Sequence, residues 1–321
     1  MDDALLDRFR RKDRSALARL LTLAARGELD ASFALRSALT QRTEGESQST
    51  KDRAPSRVVA ITGSGGVGKS TLVGKLIEHI RKQNLNVAVL ACDPQSPLTG
   101  GALLGDRFRM PTTPDDGVFI RSLAALSGRE AVADHLDLMV RLLETFGFDV
   151  ILIETAGAGQ GDTAARDLAD VVVLLLQPET GDDLQWEKAG VLEVADIIVI
   201  HKADLPGADQ AAAQVRATLD LSVGHAAGVP VLKVSSKTGD GLPELWRDIL
   251  TLPLRRGATR DGARDLLRLA HQALARRFAH AQNDPVLKQL IAQWQQGVLS
   301  AEQAAAAVLA LLQKQPPVPG T

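Results

Sequence analysis

Short apolar runs recur along the middle of the chain, and they are apolar at successive positions rather than at alternate ones. The runs are rich in Val and Ile, and longer amphipathic segments separate them. Strands have this pattern when helices cover both of their faces, as in a mostly parallel sheet. The pattern therefore predicts a doubly wound α/β fold with strands at residues 58–62, 87–91, 150–153, 171–176, 197–200 and 229–234.

Helical patterns flank this α/β region on both sides. Leucines and alanines recur at near-helical spacing before Gly27, which we expect to be a helix C-cap. A helical pattern resumes near Gly262, and Ser300 with Gln303 forms a capping box before a last helix that is apolar on most sides. We expect this helix to dock on its own domain or on a second subunit. The predicted segments are an N-terminal helical part with a polar linker (1–56), the α/β domain (57–255) and a C-terminal helical arm (256–321).

Composition narrows the classes of protein and of partner. The 321 residues are 45% hydrophobic and 24% charged with a net charge of −2, which favours neither nucleic-acid nor membrane partners. A single cysteine, Cys92, excludes an intramolecular disulfide and a thiolate metal cluster. No apolar stretch is long enough to span a bilayer, and acidic residues among the first arginines argue against a targeting peptide. We therefore expect a cytoplasmic protein.

The strongest motif is a complete GxxxxGK[ST] sequence between the first predicted strand and the helix that follows it. In such a P-loop, backbone N–H groups surround the phosphates of a nucleotide at a helix N-terminus. The Lys69 ammonium would bind the β- and γ-phosphates, and the Ser70 hydroxyl would bind Mg²⁺. The predicted nucleotide-binding residues here are Gly63, Gly65, Gly66, Val67, Gly68, Lys69, Ser70 and Thr71.

Two acidic residues follow predicted strands directly and are candidates to hold the metal ion. Glu154 opens a Glu-Thr-Ala-Gly segment that resembles the switch-II motif of GTPases, in which the glycine, here Gly157, senses the γ-phosphate. Asp93 follows the second predicted strand in the same way. Because Mg²⁺ keeps several of its waters, few protein ligands are required.

The base would be recognised at the end of the fifth predicted strand, where His201, Lys202 and Asp204 stand one residue away from the Asn-Lys-x-Asp motif of GTPases. One carboxylate can accept both the N1–H and the amino group of guanine, whereas adenine presents an acceptor at N1. Asp204 would therefore select guanine, and the stem of Lys202 would lie along the base. Ser235, Ser236 and Lys237 follow the sixth strand, where GTPases place their last base-contacting loop.

Three further segments resemble one family more closely than GTPases in general. They run from Asp93 to Met110, from Glu154 to Gln160 and from Pro178 to Gln185. In this order they are similar to the MeaB/ArgK family of G-protein chaperones, which serve adenosylcobalamin-dependent acyl-CoA mutases such as methylmalonyl-CoA mutase. The likeness covers roughly Leu17 to Trp246.

The resemblance implies a homodimer held by the C-terminal helices. It also implies GTP hydrolysis that is slow alone and stimulated by the mutase, with Mg²⁺ as cofactor. The implied role is to gate the transfer of adenosylcobalamin into the mutase and to protect the mutase from inactivation. By position, the resemblance implies that Asp106 belongs to the magnesium shell, Arg109 to switch I and Gln160 to switch II. It also implies an extra switch loop that contacts the mutase and contains Asp182, Gln185 and Lys188.

The sequence departs from the family pattern at several positions. Ser64 and Gly65 replace a proline-bearing loop, and Gln95 replaces a serine. Trp186 and Glu187 replace a Gly-Ile pair, and Ala189 replaces a lysine. With His201 in place of Asn, these departures indicate a divergent branch, one that would serve a mutase with another acyl-CoA substrate.

Other functions remain open from the residues alone. A P-loop small-molecule kinase would need an acceptor site and would not need the Lys202–Ala203–Asp204 segment. A GTP-dependent nickel metallochaperone would carry a cluster of His or Cys ligands, whereas the six histidines are scattered. A dimeric scaffold that binds GTP without hydrolysing it is disfavoured by the intact Lys69, Ser70 and Glu154.

Overall fold

The computed structural model describes residues 3–29, 54–94, 117–125, 135–155, 166–178, 195–220, 228–255, 270, 274, 277–278 and 281–314. The chain divides into two compact units, Met1–Arg256 and Gly257–Thr321. Within the residues described, no helix combines the length and the apolar character that crossing a membrane requires.

The first unit is built on a parallel sheet of seven strands in the order β3-β2-β4-β1-β5-β6-β7. The strands are β1 Arg57–Gly63, β2 Val87–Pro94, β3 Val118–Ala125, β4 Val150–Glu154, β5 Val171–Leu176, β6 Ile197–His201 and β7 Val231–Val234. The helices whose bounds lie within the described residues of this unit are α1 Asp3–Arg10, α2 Arg14–Ala25, α3 Lys69–Arg81, α4 Leu136–Phe146, α5 Ala208–Asp220 and α6 Leu242–Thr251. The prediction of a doubly wound, mostly parallel α/β fold is confirmed.

The central strands are buried on both faces. Along β1, Val58 and Ala60 pack into one cluster with α1, α2 and α4, while Val59 and Ile61 pack into a second cluster with α3 and α6. All four side chains are fully buried. On the second face, Trp246 of α6 is buried, and its indole N–H donates a hydrogen bond to Gln83 Oε1 at 3.1 Å. This two-sided burial explains why the strands are apolar at successive positions.

The strand β3 was not predicted. It pairs with β2 along its whole length, from Val118 opposite Val87 to Ala125 opposite Pro94. It lies at the edge of the sheet and contains the half-buried Arg121 and Ser122. The Arg121 guanidinium donates to Thr22 Oγ1 of α2 at 3.0 Å. An edge strand that contacts a helix through polar groups does not show the continuous apolar run used to find the others.

The ends of two predicted elements also differ. The cap of α2 is Arg26, and Gly27 follows it with a φ of 68°, the left-handed conformation that glycine favours after a helix. The last strand begins at Val231 rather than at residue 229, because Pro230 has no N–H to donate to the ladder.

Aspartates align the strands at the edge of the sheet where the strands begin. Asp149, Asp170 and Asp196 each stand directly before a strand and accept a hydrogen bond from a backbone N–H. The donors are the N–H groups of Asn86 at 2.7 Å, Val58 at 2.9 Å and Val172 at 2.7 Å, respectively. The Arg255 guanidinium also donates to the Asp196 carboxylate and to the Asp170 carbonyl. A repeated local contact thus fixes the register of β4, β5 and β6.

The second unit contains a helical pair. A 3₁₀ turn at Ala281–Asn283 leads into α7, Pro285–Gln295, and α8 is Ala301–Lys314. The predicted capping box is confirmed: the Ser300 N–H donates to Gln303 Oε1 at 3.0 Å, and the Gln303 N–H donates to Ser300 Oγ at 3.2 Å. Leu287 and Leu312 are buried within this unit. Among the described residues of this unit, six large apolar side chains are exposed, namely Leu274, Phe278, Val286, Trp294, Val298 and Leu309.

Candidate functional site

The phosphate loop lies between the end of β1 and the start of α3. Gly63, Gly66 and Gly68 have φ values of 148°, 76° and 103°, which side-chain-bearing residues rarely adopt. A Cβ at Gly63 would also lie 2.6 Å from the Leu175 carbonyl oxygen. Gly65 has neither constraint, and Thr71 is exposed on α3. The P-loop glycines are therefore required by the backbone at three positions.

Lys69 closes this loop with its own ammonium group. Its Nζ donates to the carbonyl oxygens of Gly63 at 2.9 Å and of Ser64 at 3.1 Å, and the residue is buried. The cation therefore lies at the N-terminus of α3, where free backbone N–H groups and the helix dipole favour an anion. This arrangement suits the terminal phosphates of a nucleotide.

Ser70 and Glu154 form a buried pair of oxygen ligands beside the loop. The Ser70 hydroxyl donates to Glu154 Oε1 at 2.6 Å, and β4 brings Glu154 there because it pairs with Ile61 of β1. A hydroxyl and a carboxylate are hard oxygen donors of the kind that Mg²⁺ prefers. Within the described residues, no three His, Cys, Asp or Glu side chains lie together as a metal site. Two protein ligands suit an ion that retains its waters, so the pair fits Mg²⁺.

Asp204 lies at the other end of the site, in the loop after β6. The Ser235 hydroxyl donates to Asp204 Oδ1 at 2.7 Å, and Lys237 Nζ lies 4.0 Å from Asp204 Oδ2. The bond from Ser235, helped by a backbone N–H and by the charge of Lys237, holds the pKa of Asp204 below its usual value. The carboxylate is therefore ionised and can accept two donors, which matches the N1–H and amino group of guanine.

Ser235 also organises its own loop. Its Oγ accepts hydrogen bonds from the N–H groups of Lys237 and Thr238, both at 3.3 Å. Ser235, in the loop after β7, therefore holds the Asp204 carboxylate, in the loop after β6, in a fixed orientation.

Lys202 connects this base loop to the phosphate loop. Its φ is 57°, and its Nζ donates to the Gly66 carbonyl at 3.3 Å and to Gln177 Oε1 at 3.0 Å. Gln177 follows β5 directly and was not predicted as a site residue. The available signal was its position, a polar residue at the carboxyl edge of a buried strand beside the P-loop strand.

His201 ends β6 and is almost fully buried against the phosphate loop. Its Nδ1 lies 2.8 Å from the Val67 carbonyl oxygen and its Nε2 lies 2.7 Å from Ser236 Oγ. Burial lowers the pKa of His201, and the nearby charge of Lys202 acts in the same direction. The imidazole is therefore neutral near pH 7.

Several predicted residues cannot be located at the site. Asp93 is the penultimate residue of β2, but its side chain is outside the described residues. The remaining predicted residues that lie outside the described part of the chain are Gly157, Asp106, Arg109, Gln160, Asp182, Gln185 and Lys188. Their roles stay predictions.

The chain is similar to proteins from archaea and bacteria. A protein of Pyrococcus horikoshii named as a GTPase is 39% identical over 252 residues, which cover 77% of this chain and 76% of that protein. A fused isobutyryl-CoA mutase of Nocardia farcinica is 36% identical over 256 residues, which cover 76% of this chain and 23% of the longer protein. The crystal structure of a LAO/AO transport system kinase shares the fold, with a TM-score of 0.63 and 24% identity over 97% of both chains.

The family comparison agrees with the geometry of the site. The model of the methylmalonyl-CoA mutase-associated GTPase MeaB matches residues 17–294, which include the P-loop, the Ser70–Glu154 pair and the base loop. This chain is a GTPase and belongs to the MeaB family.

Proposed function

We propose that this GTPase is a chaperone of an adenosylcobalamin-dependent acyl-CoA mutase. In this role it gates the loading of adenosylcobalamin and protects the mutase from inactivation. The observation that carries the proposal is the pair of fused isobutyryl-CoA mutases from Nocardia farcinica and Geobacillus kaustophilus, each of which contains a segment similar to this chain. A fusion places both proteins in one polypeptide, which supports a mutase as the partner here. The expected compartment is the cytoplasm.

The nucleotide would bind across the carboxyl edge of the sheet. The phosphates would contact the backbone of the loop between β1 and α3, and guanine would contact Asp204. Ser70 and Glu154 would hold Mg²⁺, which supplies positive charge to the β- and γ-phosphate oxygens. Asp93 and the more distant Asp106 are further candidates for this magnesium shell.

Hydrolysis requires the chain to stabilise charge that develops on the phosphates. Water attacks the γ-phosphorus, the bond to the bridging oxygen breaks, and GDP leaves with that oxygen. Lys69 is placed to stabilise this charge because its ammonium lies within the phosphate loop. The residues proposed for the switches are Arg109, Gln160, Asp182, Gln185 and Lys188.

The mutase would stimulate hydrolysis by acting on the segment after β5. In this proposal Lys188 supplies positive charge to the transition state when the mutase binds the segment, as an arginine finger does. The described structure supports one part of this idea. Gln177, at the start of the segment, already contacts Lys202 of the base loop.

The experiment compares GTP hydrolysis with and without a methylmalonyl-CoA or isobutyryl-CoA mutase from the same organism. We expect acceleration by one of them, and we expect Lys188→Ala to remove most of it while leaving the intrinsic rate nearly unchanged. Lys75→Ala is the matched control, because Lys75 pairs with Glu78 on the surface of α3. If neither mutase changes the rate for the wild type, the chaperone proposal fails. If Lys188→Ala is stimulated normally, Lys188 has no role.

A further inference from the structure

Both ring nitrogens of His201 are engaged within the protein. A carbonyl oxygen only accepts, so Nδ1 carries the proton and donates to the Val67 carbonyl at 2.8 Å. In the neutral ring Nε2 then has a lone pair only, and it accepts the hydroxyl proton of Ser236 at 2.7 Å. The geometry therefore defines the tautomer and leaves the ring no further N–H.

The ring is also enclosed by the phosphate loop. A Cβ at Gly68 would lie 2.5 Å from His201 Cε1 and 2.6 Å from Nδ1, so the imidazole lies directly against the backbone of Gly68. His201 is 2% exposed. Ser236, its other partner, is also buried and belongs to the loop after β7. One side chain thus joins the phosphate loop to the loop that organises Asp204.

These contacts decide what residue 201 offers to a base. Guanine carries acceptors at N7 and O6 in addition to the donors that Asp204 would bind. An asparagine at this position has an amide with two N–H groups, so it can contact the loop and still donate to the base. His201 has one N–H, and Val67 takes it.

We propose that His201 is a positioning residue that binds the two loops to each other and gives no hydrogen bond to guanine, so that N7 is not recognised by this residue. Base selection then depends on the donor edge of guanine and on Asp204. This inference rests on the guanine-binding role proposed above. It assigns a different use to a position that contacts the base in other GTPases.

The test measures the affinities of GDP, 7-deaza-GDP and ADP for the full chain by isothermal titration calorimetry. In 7-deaza-GDP a C–H group replaces N7, while the donor edge is unchanged. We expect 7-deaza-GDP to bind within about twofold of GDP, because His201 gives N7 no hydrogen bond. A loss of fivefold or more would overturn the inference.

The ADP arm separates this inference from the proposed function. GDP should bind at least about tenfold more tightly than ADP, because Asp204 would face an unmatched acceptor on adenine. Equal affinities of GDP and ADP would reject the guanine role of Asp204 itself. A normal preference for GDP with a strong dependence on N7 would reject only the role given to His201.

Two variants test the mechanism within the protein. His201→Asn restores an amide donor, so 7-deaza-GDP should become at least about threefold weaker than GDP. An unchanged ratio would show that residue 201 does not determine the response to N7. Ser236→Ala should weaken GDP and 7-deaza-GDP by the same factor, and Ser236→Thr, which keeps the hydroxyl, should restore both. An unequal loss, or no rescue, would contradict the positioning role.

Discussion

At the scale of the residue, the site depends on polar side chains that the fold buries in pairs. Ser70 and Glu154 are both nearly inaccessible, and they contact each other through a single hydrogen bond. A buried carboxylate needs a hydrogen-bond donor or a metal ion to offset its desolvation. The hydrogen bond from Ser70 therefore holds the Glu154 carboxyl group in place beside the phosphate loop.

Replacing Glu154 with Ala should reduce GTP hydrolysis by about 10²-fold or more, which is the usual loss when one group that stabilises a transition state is removed. Lys69→Ala should abolish hydrolysis, because its buried ammonium lies within the phosphate loop, where it would contact the β- and γ-phosphates. The measurement is release of phosphate under saturating GTP. Glu244→Ala, on the exposed first turn of α6, is the matched control and should hydrolyse normally. Normal hydrolysis by Glu154→Ala would mean that Asp93 or Asp106 holds the metal ion instead.

His201 should make the stability of the protein depend on pH. Burial lowers its pKa below the value of 6.5 that the unfolded chain is expected to show, and Lys202 adds to this effect while Val67 and Asp204 oppose it. The unfolded state therefore takes up a proton first as the pH falls. The contribution of the neutral His201 to the free energy of unfolding is therefore fully present above about pH 6.5. It is lost as the pH falls through the lower pKa of the folded state.

The difference between the wild type and His201→Asn isolates this contribution. The midpoint of urea unfolding, measured from pH 7.5 to pH 5 (about the range in which histidine titrates), should fall more steeply for the wild type. Parallel curves would show that His201 has the same pKa in both states.

The sequence predicted which residues belong to the site better than it predicted which of them contact each other. Lys69 and Ser70 belong to a local motif, so their spacing alone places them on one loop and one helix turn. The contacts of His201 with Val67 and Ser236 join positions far apart in the sequence, and no local pattern indicates them. The same holds for Gln177, because its role depends on the neighbouring position of β6.

At the scale of the element, one short pattern recurs. An aspartate stands directly before β4, β5 and β6 and binds a backbone N–H group. The contacts lie at the edge of the sheet opposite to the nucleotide loops, because they precede strands whose carboxyl ends carry the site. These hydrogen bonds therefore stabilise the sheet that carries the nucleotide-binding loops, and they do not contact the nucleotide.

Replacing Asp170 with Ala should lower the free energy of unfolding by about 1–3 kcal/mol, because the buried N–H of Val58 loses its partner. Urea denaturation measures this change. The affinity for GDP, measured without denaturant, should stay within about twofold of the wild-type value, since the nucleotide site lies at the opposite edge of the sheet. Asp209→Ala is the control, because Asp209 forms an exposed pair with Lys233 and should change stability little. A large loss of nucleotide affinity would show that the two edges are coupled.

The buried strands were predictable because both of their faces pack against helices, which leaves a continuous apolar run. The edge strand β3 was not, because Arg121 and Ser122 interrupt its apolar residues, and Arg121 donates to Thr22 of α2. The segment is a strand because its backbone pairs with β2, and its own pattern of apolar and polar residues does not show this. Sequence patterns thus predict the interior of such a sheet more completely than its edge.

At the scale of the whole molecule, the second unit leaves apolar side chains exposed. Trp294 is 51% exposed and Val298 is 66% exposed, although both are large and apolar. Exposed apolar groups of this size on one helical pair are typical of an interaction surface. We propose that they form the interface of a homodimer.

Trp294→Asp combined with Val298→Asp should convert a dimer to a monomer, because two charges would be buried without partners. Sedimentation velocity measures the change in mass. Leu250→Asp is the matched control in the first unit, where Leu250 is 44% exposed, and it should leave the dimer intact. A wild type that sediments as a monomer, or a double variant that still sediments as a dimer, would exclude this surface as the interface.

The chain has three tryptophans and no tyrosine, so its ultraviolet emission comes almost entirely from the indoles. Trp246 is held in the core by its hydrogen bond to Gln83 and would give a constant, blue-shifted signal. Trp294 is half exposed, so burial at the proposed dimer interface would shift its emission. Trp186 belongs to the segment that the mutase is proposed to contact. Intrinsic fluorescence therefore offers a separate, label-free reporter for the core, for assembly and for switching.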